Sequence, residues 1–132
     1  CEVATIGRAA LEQLHAMKTG ALIRAAVRMG ALLAGANGTR LAALTRYAEK
    51  IGLAFQVTDD VLDVSASVAE LGKSIGKDAQ QAKTTFVDLL GLDGAKSYAA
   101  ALVAEAQAEL DNLGPQAQAL REIAEFMVER KY

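Results

Sequence analysis

Residues 55 to 63 read Phe-Gln-Val-Thr-Asp-Asp-Val-Leu-Asp, three carboxylates set into an otherwise apolar run. On a helix, at about 100° per residue, Gln56, Asp59, Asp60 and Asp63 fall on one narrow stripe. Ile51, Phe55, Val57, Thr58, Val61, Leu62 and Val64 take the rest of the circumference. A surface helix has the opposite layout, a narrow apolar stripe beside a wide polar face. The pattern therefore predicts a helix buried nearly all round, with its acids aimed at a polar interior cavity. Carboxylates one turn apart repel one another and resist desolvation, so something must neutralise them. A hard divalent cation does this most simply, because Mg²⁺ and Ca²⁺ take oxygen ligands and Mg²⁺ commonly shares them with phosphates.

Two basic features stand near this stripe in the reading. Lys18 shares a helical stripe with Leu11, Leu14, Leu22 and Met29, a position that also suits a lysine snorkelling to solvent. Its neighbours Thr19 and Gly20 add a hydroxyl and a residue without a side chain, a group able to hold a phosphate oxygen. The second feature is Gly72-Lys73-Ser74-Ile75-Gly76-Lys77-Asp78. It superficially resembles a nucleotide-binding P-loop, but the glycine spacing is one residue short and Asp78 stands where Ser or Thr belongs. It reads either as a lysine-bearing loop that closes over an anion or as a solvated connection. His15 is the single histidine, so a histidine-rich metal site is excluded. Arg24 and Arg28 read as a solvated face, and Arg130 and Lys131 suit the negative end of a last helix.

These groups need elements to position them, and every element reads as helix. Residues 8 to 34 form the first, with a glycine-rich end at Gly35 to Gly38. The second, from about Thr39 to Ser65, carries the acids. A looser stretch runs from Ser65 to Lys83, and an apolar pattern resumes from Thr84 to Leu90 before Gly91 stops it. Asp93 to Leu113 is amphipathic, with Leu102, Val103, Ala106, Leu110 and Leu113 on one face. Gly114-Pro115 breaks it, and Pro115 suits the first turn of a last helix whose buried face is Leu120, Ile123, Ala124 and Met127. The expectation is an all-α, antiparallel helical bundle of one domain. Composition agrees: 52% of residues are hydrophobic, only 5% aromatic, and one proline occurs, which disfavours a sheet.

The net charge of −2 offers no basic field for nucleic acid or an anionic membrane. No apolar run approaches the roughly 20 residues of a membrane span. The single cysteine, Cys1, excludes an internal disulfide and suits a reducing, cytoplasmic compartment. It stands where an initiator Met is expected, so the sequence reads as a piece of a longer protein.

Four motifs together resemble those of the short-chain trans-isoprenyl diphosphate synthases, above all bacterial farnesyl diphosphate synthases (geranyltranstransferases). They are His15-x-x-Lys18-Thr19-Gly20-Ala21-Leu22, Phe55-Gln56-x-x-Asp59-Asp60-x-x-Asp63, and Leu71-Gly72-Lys73-x-x-Gly76-Lys77-Asp78. The fourth is Lys83-x-Thr85-Phe86-Val87 with Leu89-Leu90-Gly91-Leu92-Asp93-Gly94-Ala95. The resemblance spans nearly the whole chain. It implies residues 1–132 as the C-terminal part of a polyprenyl synthetase domain with an isoprenoid synthase fold. It also implies condensation of an allylic diphosphate, dimethylallyl or geranyl, with isopentenyl diphosphate to give geranyl or farnesyl diphosphate. Mg²⁺ would be held by Asp59, Asp60 and Asp63, directly or through water. Lys18, Lys73 and, less centrally, Lys77 would contact the diphosphate, with Thr19 and Gln56 steadying the cation beside the leaving group. A homodimer is the family's usual assembly.

The sequence departs from the family by lacking a first aspartate-rich motif, the arginine pair after it, and the basic site for isopentenyl diphosphate. The expectation is thus one wall of an active site, without turnover of its own. The competing reading is a non-catalytic helical subunit that binds or regulates a synthase partner.

Overall fold

The computed structural model describes residues 7–16, 18–69 and 85–129. Five α-helices are present there: α1 (Arg8–Ala16), α2 (Thr19–Leu33), α3 (Gly38–Ala69), α4 (Phe86–Glu109) and α5 (Gln118–Glu129). A 3₁₀ segment, Asp111–Ala117, joins the last two. All described secondary structure is helical, as the composition required.

Paired side chains establish the directions. Arg24 reaches Glu49 at 3.2 Å and Arg28 donates to Thr45 Oγ1 at 2.7 Å, so α2 and α3 run antiparallel. Arg46–Glu109 at 2.9 Å and Lys50–Glu105 at 3.1 Å give the same sense to α3 and α4. The α3 helix is central, about 48 Å long at 1.5 Å per residue. Its Tyr47, Ile51, Val57 and Val61 enter the core with Phe86 and Leu102 of α4. Alanines fully enclosed on α3 and α4 (Ala54, Ala95, Ala106) let the backbones approach closely. At the other end Tyr47 donates its hydroxyl to the Leu120 carbonyl at 2.7 Å, which ties α3 to α5.

The continuous helix expected over 8–34 is instead two. Backbone angles at Lys18 (φ −105°, ψ −114°) leave the helical region, and α2 starts afresh at Thr19. The break lets α1 and α2 point differently. Leu11 of α1 is 1% exposed in the core, and Glu12 accepts the Tyr98 hydroxyl at 2.5 Å. The apolar stripe expected on this helix is corrected too: Leu14, Leu22 and Met29 are 40%, 72% and 63% exposed. The side of α2 that is buried carries smaller residues, Gly20 and Ala31, with Ile23 and Val27 half-buried between them. Leu22 and Met29 lie about 200° and 180° from Gly20 around the helix, on its far side. Arg28, expected in solvent, is partly buried through its Thr45 bond.

Helix ends behave as their residues dictate. At the end of α2, Gly35 (φ +86°) lets Ala36 N–H reach the Ala31 carbonyl and its own N–H reach Leu32, a Schellman closure. Thr85 caps α4 by accepting from Asp88 N–H, while Asp88 accepts from Thr85 N–H, so each satisfies an otherwise orphan donor. Gly91 adopts φ +77° and kinks α4 where the sequence predicted a stop. Leu102, Val103, Ala106 and Leu110 are buried as expected, with Leu113 half-buried. In the last segment Pro115 sits in the 3₁₀ turn and α5 begins at Gln118. Ala124 is fully buried, Leu120 and Met127 half-buried, and Ile123, expected inside, is 47% exposed.

Candidate functional site

The α3 helix presents Gln56, Asp59 and Asp63 from successive turns of one face. Gln56, Asp59 and Asp60 are half-buried and Asp63 is exposed. Of the neighbouring positions, Val57 and Thr58 are enclosed at 0% and 5%, whereas Phe55, Leu62 and Val64 are only half-buried, so the helix is not buried nearly all round as expected. Among the described residues the acid stripe thus lies on an open side of α3.

Asp60 has a defined second partner. Its Oδ2 accepts the backbone N–H of Phe86 at 2.9 Å, supplying an acceptor to the first turn of α4 beyond those of the Thr85–Asp88 pair. Burial pushes the Asp60 carboxyl above the usual carboxylate range. The Phe86 bond opposes that rise, and the charges of Asp63, Asp59 and Asp88 add to it.

The α2 helix meets α3 backbone to backbone. A Cβ added to Gly52 would stand 2.9 Å from Gly20 Cα and 3.7 Å from its carbonyl oxygen. Gly52 precedes Gln56 by four residues and Asp59 by seven, so crossing point and acid stripe share one face. Residue numbers fall along α3 as they rise along α2 (Gly20 with Gly52, Arg24 with Glu49, Arg28 with Thr45). Thr19 adjoins Gly20 and so begins α2 next to this crossing. Thr19 is half-buried there and Lys18 exposed. Lys73 and Lys77 lie outside the described residues.

No group of three Asp, Glu, His or Cys side chains among the described residues converges well enough to hold a metal ion. The donor chemistry fits a different arrangement. Asp59 and Asp63 stand one turn apart on the open face, while one Asp60 oxygen is already committed to Phe86. Such a set suits a hard cation held by one or two carboxylates and completed by the oxygens of its ligand.

Residues 4–125 match the polyprenyl synthetase family. The chain belongs to that family. It is 50% identical over 125 residues to the farnesyl diphosphate synthase of Escherichia coli (strain K12), covering 92% of this chain and 42% of the relative. It is 44% identical over 127 residues to a dimethylallyltranstransferase of Fischerella ambigua, covering 96% of this chain and 37% of that one. Solved structures agree. An FPP/GFPP synthase from Zymomonas mobilis superposes with a TM-score of 0.80 at 35% identity, over 96% of this chain and 40% of that one. A geranyltransferase from Helicobacter pylori, complexed with magnesium and isoprenyl diphosphate, gives 0.71 at 36% identity, over 95% and 41%. The all-α isoprenoid synthase fold expected from the sequence is therefore correct. This polyprenyl synthetase chain spans about two fifths of the length of the relatives it matches.

Two features of the site escaped the sequence reading. Gly52 lies in a helix interior, where glycine costs about 1 kcal/mol relative to alanine, and that cost was an available signal. The Asp60 bond to Phe86 had none, because it joins residues 26 positions apart.

Proposed function

We propose that the chain forms one wall of the active site of a Mg²⁺-assisted trans-prenyltransferase of the geranyltranstransferase type. The whole enzyme condenses dimethylallyl or geranyl diphosphate with isopentenyl diphosphate. Residues 1–132 are then the C-terminal part of its domain, inactive alone, within a cytoplasmic homodimer. The observation that supports this reading is the crossing of Gly20, next to Thr19, on Gly52, which shares a face of α3 with Gln56 and Asp59.

In the reaction the allylic C–O bond breaks, its electron pair leaves with the diphosphate, and the isopentenyl double bond attacks the carbon cation. Loss of a proton then restores a double bond. Asp59 and Asp63, with the second oxygen of Asp60, would hold the magnesium, which when bound would supply Lewis-acid neutralisation of the departing charge. Lys18 adds an ammonium to the diphosphate, and Lys73 and Lys77 are assigned the same role. The Thr19 hydroxyl and the Gln56 amide turn their dipoles toward the developing cation. Charge-stabilising groups of this kind act without reorganising at the moment of ionisation, which is why a fixed helix crossing matters.

Calorimetric titration with inorganic diphosphate, with and without Mg²⁺, tests this reading. Binding that needs both Mg²⁺ and Asp59, and is lost in Asp59→Ala, is the expected result. Binding indifferent to both would overturn the site. The competing reading is a non-catalytic helical subunit that binds or regulates a synthase partner. That reading gains if the chain binds an intact synthase but not Mg²⁺-diphosphate.

A further inference from the structure

We propose that Gly52 is a positioning residue for the diphosphate site, the contact that fixes Lys18 and Thr19 relative to the acid stripe. The inference rests on the prenyltransferase reading and adds to it a residue that touches no substrate. An added methyl on Gly52 would meet Gly20 Cα at 2.9 Å, closer than real carbon contacts come. The obstacle is backbone, not the end of a flexible side chain, so α2 must lift or slide. Gly20 is buried in the first turn of α2, two residues after Lys18 with Thr19 between. Any displacement at the crossing is therefore handed directly to the two residues that face the anion.

The described polar side-chain contacts between α2 and α3 lie farther along the pair. Lys18 makes no side-chain cap, and the next contacts along the pair are one and two turns away, at Arg24–Glu49 and Arg28–Thr45. The first of these is an exposed ion pair, worth little in positional terms. The glycine pair has the opposite character: it sets a backbone separation that no rotamer can adjust. Gly30 offers an internal comparison. It also lies in α2, but a Cβ there meets nothing within 4 Å. Gly30→Ala changes the same helix without touching the crossing.

The experiment measures Mg²⁺-dependent binding of inorganic diphosphate by this chain, together with its thermal midpoint. Gly52→Ala is expected to weaken binding at least tenfold, and Gly30→Ala to leave it unchanged. A double-mutant cycle with Lys18→Ala supplies a readout that general destabilisation would not give. If Gly52 acts through Lys18, the second substitution adds little to the loss caused by the first. Full additivity, or a Gly52→Ala chain that binds normally, overturns the inference. If Gly52→Ala does not fold, the wild-type chain decides by nuclear magnetic resonance during the same titration. Thr19 and Gln56 amide signals should then shift together with one Kd, and movement of Gln56 with Thr19 unmoved overturns the proposal. A folded wild-type chain that fails to bind diphosphate removes the diphosphate site from this chain, and the proposal with it, a result distinct from loss in the variant alone.

Discussion

Tyr47 makes the stability of this chain depend on alkaline pH in a way that one substitution isolates. Its ring is 2% exposed, its hydroxyl donates to the Leu120 carbonyl at 2.7 Å, and burial pushes its pKa from 10.0 up to about 12. Ionisation would strip the donor and set a phenolate against a carbonyl oxygen. The unfolded chain ionises first as pH rises past 10, so Tyr47 stabilises the fold fully below that pH. Its contribution is then lost between 10 and about 12. The whole loss is about 2.7 kcal/mol, of which about 1.4 kcal/mol has gone by about pH 11. Tyr47→Phe removes a hydrogen bond worth about 1 kcal/mol and removes the titration with it. Urea unfolding followed by circular dichroism should therefore find the wild type more stable by about 1 kcal/mol near neutral pH. The two stabilities should meet at about pH 11, because lysine titration is common to both proteins and cancels in the difference. A gap that stays constant across this range would refute the buried-donor account.

Three further outcomes follow from side chains of the acid helix and the lysine beside it. The Thr58 hydroxyl is buried without a hydrogen-bond partner among the described residues. Thr58→Val should thus raise stability by about 1 kcal/mol, or roughly 3 °C in Tm, leaving diphosphate binding intact. A destabilised variant in differential scanning calorimetry would mean the hydroxyl is satisfied. Asp60→Asn keeps an acceptor for Phe86 N–H and Asp60→Ala does not, so alanine should be the less stable by about 1–2 kcal/mol in urea titration. Because the Asp60 carboxyl is raised above 3.8, its protonated form favours the fold, and its contribution falls as pH climbs from that value. Asparagine should gain on wild type from acid toward neutral pH, and a gain in the reverse direction would contradict the burial effect. Lys18→Gln, removing a charge-assisted contact, should weaken Mg²⁺-dependent diphosphate binding roughly tenfold by calorimetry, and an unchanged Kd would leave Lys18 as a solvated residue.

Legibility in the sequence followed local periodicity. The α3 and α4 helices were read well because their enclosed positions are apolar at helical spacing, from Ile51 to Val61 and from Leu102 to Leu110. Gly91 and Gly35 announced real interruptions, since both hold positive φ. The α2 helix misled because it has two apolar sides. Periodicity favours the larger residues, Leu22 and Met29, whereas close packing on α3 selected the small ones, Gly20 and Ala31. The break at Lys18 went unread although Gly20, a residue that weakens helices, stands two positions after it. The acid stripe itself was plain. Its commitment of Asp60 to Phe86 was not, because only the folded chain brings those positions together.

The Asp60–Phe86 bond turns the intervening chain into an excursion that leaves and re-enters at one point, across 26 positions of sequence. Closing such a detour becomes harder only with the logarithm of its length, so doubling it costs about 0.6 kcal/mol. The entropic cost of bringing α4 back to α3 thus depends only weakly on the length between them, while the bond itself fixes the point of return.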